Sequence, residues 1–187
     1  MEWGTIDRRL FLATGAGAAL APAFTHATSP ATETRSDGFD FLLGRWNVRH
    51  RKLRHRLAGS QDWQDFPGSL NVAPILGGLG NFDVNRLDDP AGAYEAHSLR
   101  LYNPAARTWS IWWLDARAPA LIPPVVGGFS GTRGSFFADE IFEDRPIKVR
   151  TTYEPLARDR AQWTQAFSAD GGASWEVNWI MDFRRMA

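Results

Sequence analysis

The chain has 187 residues, no cysteine, and 21 basic against 21 acidic side chains, so its formal net charge is zero. A balanced charge argues against a general nucleic-acid-binding protein, which needs a surplus of lysine and arginine to neutralise phosphates. The lack of cysteine excludes disulfides, thiolate metal sites and a cysteine nucleophile within this chain. Aromatic residues make up 13% of the sequence, including nine tryptophans, which favours a globular domain whose core is unusually rich in aromatic side chains.

Residues 1–27 have the pattern of an export signal. The run Asp7-Arg8-Arg9-Leu10-Phe11-Leu12 resembles the twin-arginine motif, and Thr25-His26-Ala27 ends in a small residue of the kind that a signal peptidase reads. The Ala/Gly-rich stretch between them has about ten residues, whereas a membrane helix needs ~20. We therefore expect a twin-arginine signal peptide, a periplasmic or secreted protein, and no integral membrane span. The alternative is the plain N-terminus of a cytosolic protein.

Residues 28–37 are polar and lack an apolar period, which predicts a disordered tether. Residues 38–187 then have the size of one domain. Extended runs separated by Gly, Pro, Asn and Asp recur through this domain, after a short helical turn predicted at Phe39–Leu43. In chain order the predicted strands are Trp46–Leu57, Leu70–Leu76, Phe82–Leu87, Tyr94–Tyr102, Thr108–Leu114, Val125–Ser130, Gly134–Ala138, Ile147–Tyr153, Ala161–Ser168 and Trp175–Phe183. Roughly eight to ten antiparallel strands predict an all-β barrel or sandwich.

The segment from Ser168 to Trp175 matches the Asp-box pattern Ser-x-Asp-x-Gly-x-Ser/Thr-Trp. In such a turn the aspartate, here Asp170, caps backbone amides, and glycine supplies a positive φ. The pattern occurs once, so it indicates one structured hairpin and not a propeller of repeated blades. By alternation, the strand that follows places five large side chains on one face: Trp175, Val177, Trp179, Met181 and Phe183.

Several segments together carry a family resemblance. They are Phe39–Val48 with its Gly44-Arg45-Trp46 triplet, Leu76–Asn81, Leu101–Pro104, Trp109–Trp113, Gln165–Ser168 and Asn178-Trp179. These segments resemble a bacterial lipocalin-like family of the calycin type, known only as a domain of unknown function. The resemblance covers most of residues 39–185 and implies an antiparallel calycin-type β-barrel, one end of which is closed by the tryptophan of the triplet. It implies no catalytic residues.

The aromatic excess and the expected barrel predict a lumen that binds a small lipophilic or aromatic molecule. The predicted aromatic contacts are Trp46, Trp112, Trp113, Trp163 and Trp179. The predicted polar contacts are His50, Asn81 and His97. Binding is the leading hypothesis, and a structural or interaction protein with a filled barrel is one alternative. The sequence does not specify the oligomeric state.

An enzyme is the other alternative, and it depends on the histidines. His50 shares the parity of Trp46 and Val48, and His97 shares that of Leu99 and Leu101, so both are expected to point into the barrel. Imidazole titrates near neutral pH, which suits an isomerase, cyclase or hydratase working by acid–base catalysis. No metal-ligand spacing occurs, and no cofactor is predicted. Heme is the alternative cofactor, with His50 or His97 as the iron ligand.

Two further features bear on the barrel mouth. The first predicted strand and its continuation carry a run of six cations: Arg45, Arg49, Arg51, Lys52, Arg54 and Arg56. We interpret this run as a solvated face paired with acids such as Asp62 and Asp65, the alternative being a patch for an anionic ligand. The proline-rich loop Ala116–Pro124 is the candidate lid, and the alternative is a loop that covers a sheet edge.

Overall fold

The structure, a computed structural model, describes residues 38–187. Over this range the chain forms ten antiparallel strands that close into a barrel in the order β1-β10-β9-β8-β7-β6-β5-β4-β3-β2. The strands are β1 (Gly44–Leu53), β2 (Trp63–Ile75), β3 (Gly80–Leu87), β4 (Tyr94–Asn103), β5 (Thr108–Asp115), β6 (Val125–Ser130), β7 (Arg133–Phe142), β8 (Arg145–Ala157), β9 (Arg160–Ser168) and β10 (Glu176–Arg185). The predicted all-β, antiparallel barrel is confirmed. The predicted signal peptide (1–27) and tether (28–37) lie outside the described residues.

Helical structure in the described part of the chain is confined to two short 3-10 turns. The first, Asp40–Leu42, confirms the helical turn predicted before β1, and the second is Leu76–Gly78 between β2 and β3. Gly77 adopts a φ of +63° within the second turn, a conformation that glycine reaches without steric cost. None of the helical segments in residues 38–187 has the length and apolarity needed to cross a membrane.

Several strand boundaries differ from the sequence prediction, and those of β1 and β2 are the most informative. β1 ends at Leu53, and the predicted continuation to Leu57 is instead a turn. β2 begins at Trp63, seven residues before the predicted start at Leu70, and runs through Pro67 and Gly68. Gly68 is required where it stands because a Cβ there would meet the carbonyl oxygen of Arg86 and, at 2.6 Å, Nε2 of His50. Residues that usually mark a turn are therefore accommodated inside this strand.

One end of the barrel is closed by aromatic side chains, and we call it the closed end. Trp46 is almost fully buried there and donates a 2.7 Å hydrogen bond from Nε1 to the carbonyl oxygen of Leu42. The guanidinium of Arg185 lies 4.1 Å from the Trp46 ring centroid and donates to the carbonyl oxygens of Leu43 and Phe41. These contacts fasten the 3-10 turn over the barrel, and Trp46 closes this end as the resemblance implied.

Phe39 fills the space beneath that turn. Its ring makes edge-to-face contacts with Trp109, Phe129 and Tyr153, with centroids 4.9 to 5.0 Å apart. Edge-to-face pairing is the geometry that aromatic quadrupoles favour, and burial of each such side chain contributes roughly 1.5–3 kcal/mol. This half of the barrel is a packed core, so any lumen must lie toward the opposite end, which we call the mouth.

The hairpin between β9 and β10 has the turn chemistry predicted for it. Asp170 accepts hydrogen bonds from the backbone N–H and the hydroxyl of Ser174, at 2.9 and 2.6 Å, and from the hydroxyl of Ser168. These bonds hold the pKa of Asp170 well below its usual range. Gly171 and Gly172 both have positive φ, at 74° and 103°. The Asp-box turn is therefore structural.

The predicted alternation along β10 is only half right. Trp179, Met181 and Phe183 are buried in the barrel, but Val177 is 38% exposed. The register with β9 shifts between Val177 and Trp179, where Val177 pairs with Ala166 and Trp179 pairs with Gln165. This β-bulge adds one residue to β10. For the residues before the bulge, each side chain therefore points to the opposite face from the one that alternation predicts. Trp175 consequently packs outside the lumen, against Phe137 and under the guanidinium of Arg150.

Candidate ligand-binding site

A cavity of about 290 Å³ occupies the mouth half of the barrel. It lies where the closed-end core stops, and its floor includes Tyr153, Trp163 and Met181. Its apolar wall comes from six of the strands and from the loop after β5. The apolar lining residues are Ile111, Trp113, Ile122, Pro123, Val125, Phe142, Val149, Tyr153, Trp163, Phe167, Trp179 and Met181.

Three tryptophans form one continuous aromatic wall. The ring of Trp179 meets Trp163 at a centroid distance of 5.3 Å and an interplanar angle of 90°. It meets Trp113 at 5.6 Å and 82°. Because each indole is held edge-to-face by its neighbour, the rings keep a fixed orientation toward the cavity.

Two polar groups on the cavity wall have no partner within the described chain. They are Oγ1 of Thr151 and Oε1 of Gln165, both shielded from solvent. Thr151 and Gln165 stand opposite each other on β8 and β9, and Thr151 is 5% exposed. An unsatisfied buried polar atom costs about 1–3 kcal/mol. The pair therefore forms a polar spot in an apolar wall, suited to a hydroxyl, an amide or a bound water.

Charged side chains surround the mouth. Lys52 places its ammonium 4.3 Å from the Trp179 ring centroid, 3.4 Å from the Tyr94 hydroxyl and 3.7 Å from Oδ2 of Asp89. The pKa of Lys52 is lowered to about 8, first by burial and then by the positive charge of Arg56, against the opposing effect of Asp89. This ammonium is thus less firmly protonated than an exposed lysine.

The other charged lining groups are Arg56, Asp115, Arg117 and Glu140. Arg117 donates to both carboxylate oxygens of Asp115, at 2.9 and 2.6 Å, so these two charges neutralise each other. Glu140 makes no ion pair with any described residue, and burial raises the pKa of its carboxyl group. Arg56 lies with its guanidinium 5.6 Å from the ring centroid of Phe167.

The loop Ala116–Pro124 reaches the cavity, as expected of the candidate lid. Arg117, Ile122 and Pro123 line it directly, while Leu121 is 72% exposed to solvent. The loop therefore forms part of the cavity wall at the mouth, on the side between β5 and β6.

Three of the five predicted tryptophan contacts line this cavity: Trp113, Trp163 and Trp179. Trp46 belongs to the closed-end core and does not reach the cavity. Trp112 lies on the outer face of β5, since the inner face carries Trp109, Ile111 and Trp113. Alternation alone does not identify the inner face of this strand, because tryptophans occupy both faces.

His50 points inward as predicted, but it is not part of the cavity wall. Its ring is fully buried, stacked on Phe66 at 4.8 Å, and Nδ1 accepts a 3.4 Å hydrogen bond from Nε1 of Trp179. Nε2 lies against the backbone of Gly68. Burial lowers the pKa of His50 to about 3, an effect to which Lys52 adds. His50 is therefore a neutral packing partner behind the aromatic wall.

The predicted inward orientation of His97 is wrong. His97 lies on the outer face of β4, stacked on Phe82 and within 3.1 Å of the Glu95 carboxylate. The inner face carries Ala96, Ser98 and Arg100 instead. The sequence prediction assumed that the apolar face of β4, with Leu99 and Leu101, points into the barrel. The face with Arg100 points inward instead, and its charge is compensated by a partner on the adjacent strand.

That partner is Asp83 on β3. Its Oδ2 lies 2.6 Å from Nη2 of Arg100, and both side chains are almost completely buried. Asn81, a predicted ligand contact, accepts a 2.9 Å hydrogen bond from Nη1 of Arg100, and the hydroxyl of Tyr153 accepts one from Nη2. Asn81 therefore belongs to a buried polar network near the closed end and does not line the cavity.

The histidines also decide how a heme would fit. A heme in this cavity needs an axial ligand, and His50 and His97 are the histidines predicted for it. Neither lines the cavity, so neither predicted histidine is placed to bind the iron of a heme there. Among residues 38–187, no group of three or more His, Asp or Glu side chains is placed to hold a metal ion.

The cation run divides into two sets. Arg49 and Arg51 both lie near Asp65, at 3.0 and 3.4 Å, and Arg54 lies 3.5 Å from Asp62. The predicted pairing with Asp62 and Asp65 is confirmed for this outward set. Lys52 and Arg56 instead line the cavity.

Sequence reasoning thus missed Thr151 and Gln165, and it considered Lys52 and Arg56 only in the alternative of a patch for an anionic ligand. A signal for Lys52 was present, because it shares the inward parity of Trp46, Val48 and His50. Arg56 follows the end of β1, where alternation no longer applies. Thr151 and Gln165 are ordinary strand residues whose unpaired atoms become evident only from the packed barrel.

Comparison with known proteins finds similarity among solved structures only. No protein-family model matches the sequence, and no curated protein matches it. Among solved structures, it is similar to the crystal structure of a protein with unknown function from the DUF3598 family of Nostoc punctiforme, with a TM-score of 0.43 and 11% sequence identity. The match covers 86% of this chain and 53% of that chain, so this chain spans about half the length of the matched structure.

Proposed function

We propose that this protein is an exported lipocalin-like barrel that binds a small apolar or aromatic molecule in the mouth cavity. The observation that carries the proposal is the wall of three edge-to-face tryptophans around a space of about 290 Å³. Apolar pockets with a few convergent polar groups are the usual form of small-molecule sites. The unpaired atoms of Thr151 and Gln165 supply such polar groups.

The size of the cavity sets the size of the ligand. Ligand pockets commonly measure about 300–1,000 Å³, and a space of about 290 Å³ lies at the lower end of that range. It corresponds to about ten water molecules at their liquid volume of ~30 Å³ each. This volume favours a compact ring compound or short chain over a long-chain lipid.

Binding is better supported than the two alternatives. An enzyme using a lumen histidine needs an imidazole on the cavity wall, and neither His50 nor His97 lies there. The alternative of a structural protein with a filled barrel fits only the closed half of the barrel, because the mouth half encloses the cavity. Export rests on the twin-arginine pattern in residues 1–27, which lie outside the described residues.

The test is a matched pair of tryptophan variants on β5. Trp113→Ala removes an indole from the cavity wall, and Trp112→Ala removes one from the outer face of the same strand. With phenylpropanol as the probe, measured by titration calorimetry, we expect Trp113→Ala to weaken binding about ten-fold or more, because an aromatic contact of roughly 1.5–3 kcal/mol is lost. Trp112→Ala should change the affinity less than about two-fold.

Two results would contradict binding in this cavity. One is the absence of saturable binding by small aromatic and apolar compounds of this size to the wild-type protein. The other is an equal loss of affinity in the two variants, which would locate the bound probe elsewhere on the barrel.

A further inference from the structure

Arg56 lines the cavity without an ion-pair partner among the described residues. The outward arginines of the same run pair with Asp62 and Asp65, but within residues 38–187 no carboxylate lies within ion-pair distance of Arg56. Its guanidinium lines the cavity beside the Phe167 ring. Burial lowers the pKa of Arg56 and the positive charge of Arg117 lowers it further, while Tyr94 and the carboxylate of Glu176 act in the opposite direction.

Lys52 is the second cation on this part of the wall. Its only ion-pair partner among the described residues, Asp89, is 3.7 Å away, a longer separation than a charge-assisted hydrogen bond. Its ammonium faces Trp179, one of the three wall indoles. Lys52 and Arg56 therefore approach the aromatic wall with hydrogen-bond donors still to satisfy.

The acidic groups near these cations are mostly engaged elsewhere. Asp115 is held by Arg117, and Glu176 accepts a 2.6 Å hydrogen bond from the backbone N–H of Leu57. Glu140 is the remaining acid on the wall, and burial raises the pKa of its carboxyl group. None of these acids forms an ion pair with Arg56, whose guanidinium remains available to a bound anion.

We propose that the ligand is a monocarboxylate, with its apolar body against the tryptophan wall and its carboxylate on Arg56, where Lys52 provides a second donor. The inference rests on the proposed function and names the chemical class of its ligand. A guanidinium presents paired N–H donors that match the two oxygens of a carboxylate. Lys52 already has Asp89 as an ion-pair partner, so the one unpaired guanidinium matches one negative charge, whereas a phosphate dianion would carry a second charge without a match.

The experiment compares three probes that share one apolar body: phenylpropionate, phenylpropanol and phenylpropylamine. Titration calorimetry on the wild-type protein should give the tightest binding for the carboxylate, about ten-fold or more over the alcohol, and the weakest for the amine. Arg56→Gln should remove most of the preference for the carboxylate over the alcohol, with the remainder due to Lys52, and should weaken alcohol binding much less than carboxylate binding. Arg56→Lys keeps the positive charge but loses the paired N–H donors of the guanidinium. It should therefore retain part of the preference for the carboxylate over the alcohol.

The control is Arg54→Gln, which removes an exposed arginine two residues away whose partner is Asp62. Arg54→Gln should leave the order of the three affinities and the ratios between them as in the wild-type protein. In the wild-type protein, a higher salt concentration should weaken binding of the carboxylate probe and not that of the alcohol.

The outcomes separate the two proposals. If the alcohol binds as tightly as the carboxylate, or if Arg56→Gln preserves the difference, the carboxylate assignment is wrong while binding in the cavity stands. If the amine binds most tightly, the acidic groups dominate the mouth and the assignment is also wrong. If none of the three probes binds, the proposed function and the inference fail together.

Discussion

Single buried polar residues decide which face of each strand looks inward. Arg100 turns β4 so that its apolar residues Leu99 and Leu101 lie outside, because Asp83 on β3 neutralises it within the barrel. Removing one partner of such a pair leaves an uncompensated buried charge, at a cost of about 3–5 kcal/mol. The pairing is a relation between two strands, so no inspection of β4 alone could reveal it.

His50 should make the stability of the protein depend on pH. Its pKa is about 3 in the folded state, against 6.5 for the unfolded chain. Between these values the unfolded chain binds a proton that the folded protein does not, so stability falls as the pH is lowered through 6.5. From this group alone we expect about 2 kcal/mol less stability at pH 5 than at pH 7.

Urea unfolding at these two pH values checks this expectation. In His50→Gln the difference between pH 5 and pH 7 should shrink by about that amount, although the variant is less stable throughout because the contacts with Phe66 and Trp179 are lost. The control is His55→Gln, at an exposed histidine in the turn after β1. An unchanged pH dependence in His50→Gln would show that this imidazole is protonated equally in both states.

Strand β6 lies so close to β7 that only glycine fits at one of its positions. Gly127 packs against the backbone of β7, and a Cβ there would collide with the carbonyl oxygen of Ser135. The adjacent Gly128 has no atom nearer than 4.0 Å to the same hypothetical Cβ. Two neighbouring glycines on one strand therefore have opposite steric surroundings.

We expect Gly127→Ala to destabilise the protein by about 1–3 kcal/mol, the usual cost of overpacking, because backbone must move to admit the methyl group. Gly128→Ala should be close to neutral. Urea denaturation of both variants measures the difference. Equal stability of the two variants would mean that β6 shifts away from β7 at little cost.

Across the whole barrel, the closure is uneven. β1 and β2 pair along ten positions, from Gly44 opposite Val72 to Leu53 opposite Trp63. β5 and β6 pair at only three positions, and β5 then runs on to Asp115 without a partner on β6. The loop Ala116–Pro124 lies beside this gap, next to the cavity. The weakest seam of the barrel is thus the wall through which a ligand would enter.

This seam should open first in the native protein, because local unfolding follows the segments with the fewest paired backbone groups. In hydrogen exchange, the amides of Val125–Gly127 should exchange well before those of β1. Addition of a bound probe such as phenylpropionate should slow the exchange of β6 more than that of β1. Uniform protection around the barrel would rule out this seam as the entrance.

Local patterns in the sequence determined the elements of this protein. The helical turn before β1, the strand succession and the Asp-box turn each depend on residues that are neighbours along the chain, so propensity and turn chemistry suffice to predict them. The sequence also indicated Trp163 and Trp179 as lumen residues, because tryptophan on an alternating strand favours the buried face, but it did not separate Trp113 from Trp112.

Only the closed barrel decided which of those side chains share a cavity. The bulge in β10 and the compensation of Arg100 by Asp83 arise from contacts between paired strands, and Arg56 is placed at the cavity beside Phe167 on β9. Such contacts overrule local parity, because a buried charge or an extra residue is accommodated by whichever neighbour the fold supplies. The division of one cation run into a solvated set and a cavity set is accordingly a property of the fold and not of the sequence pattern.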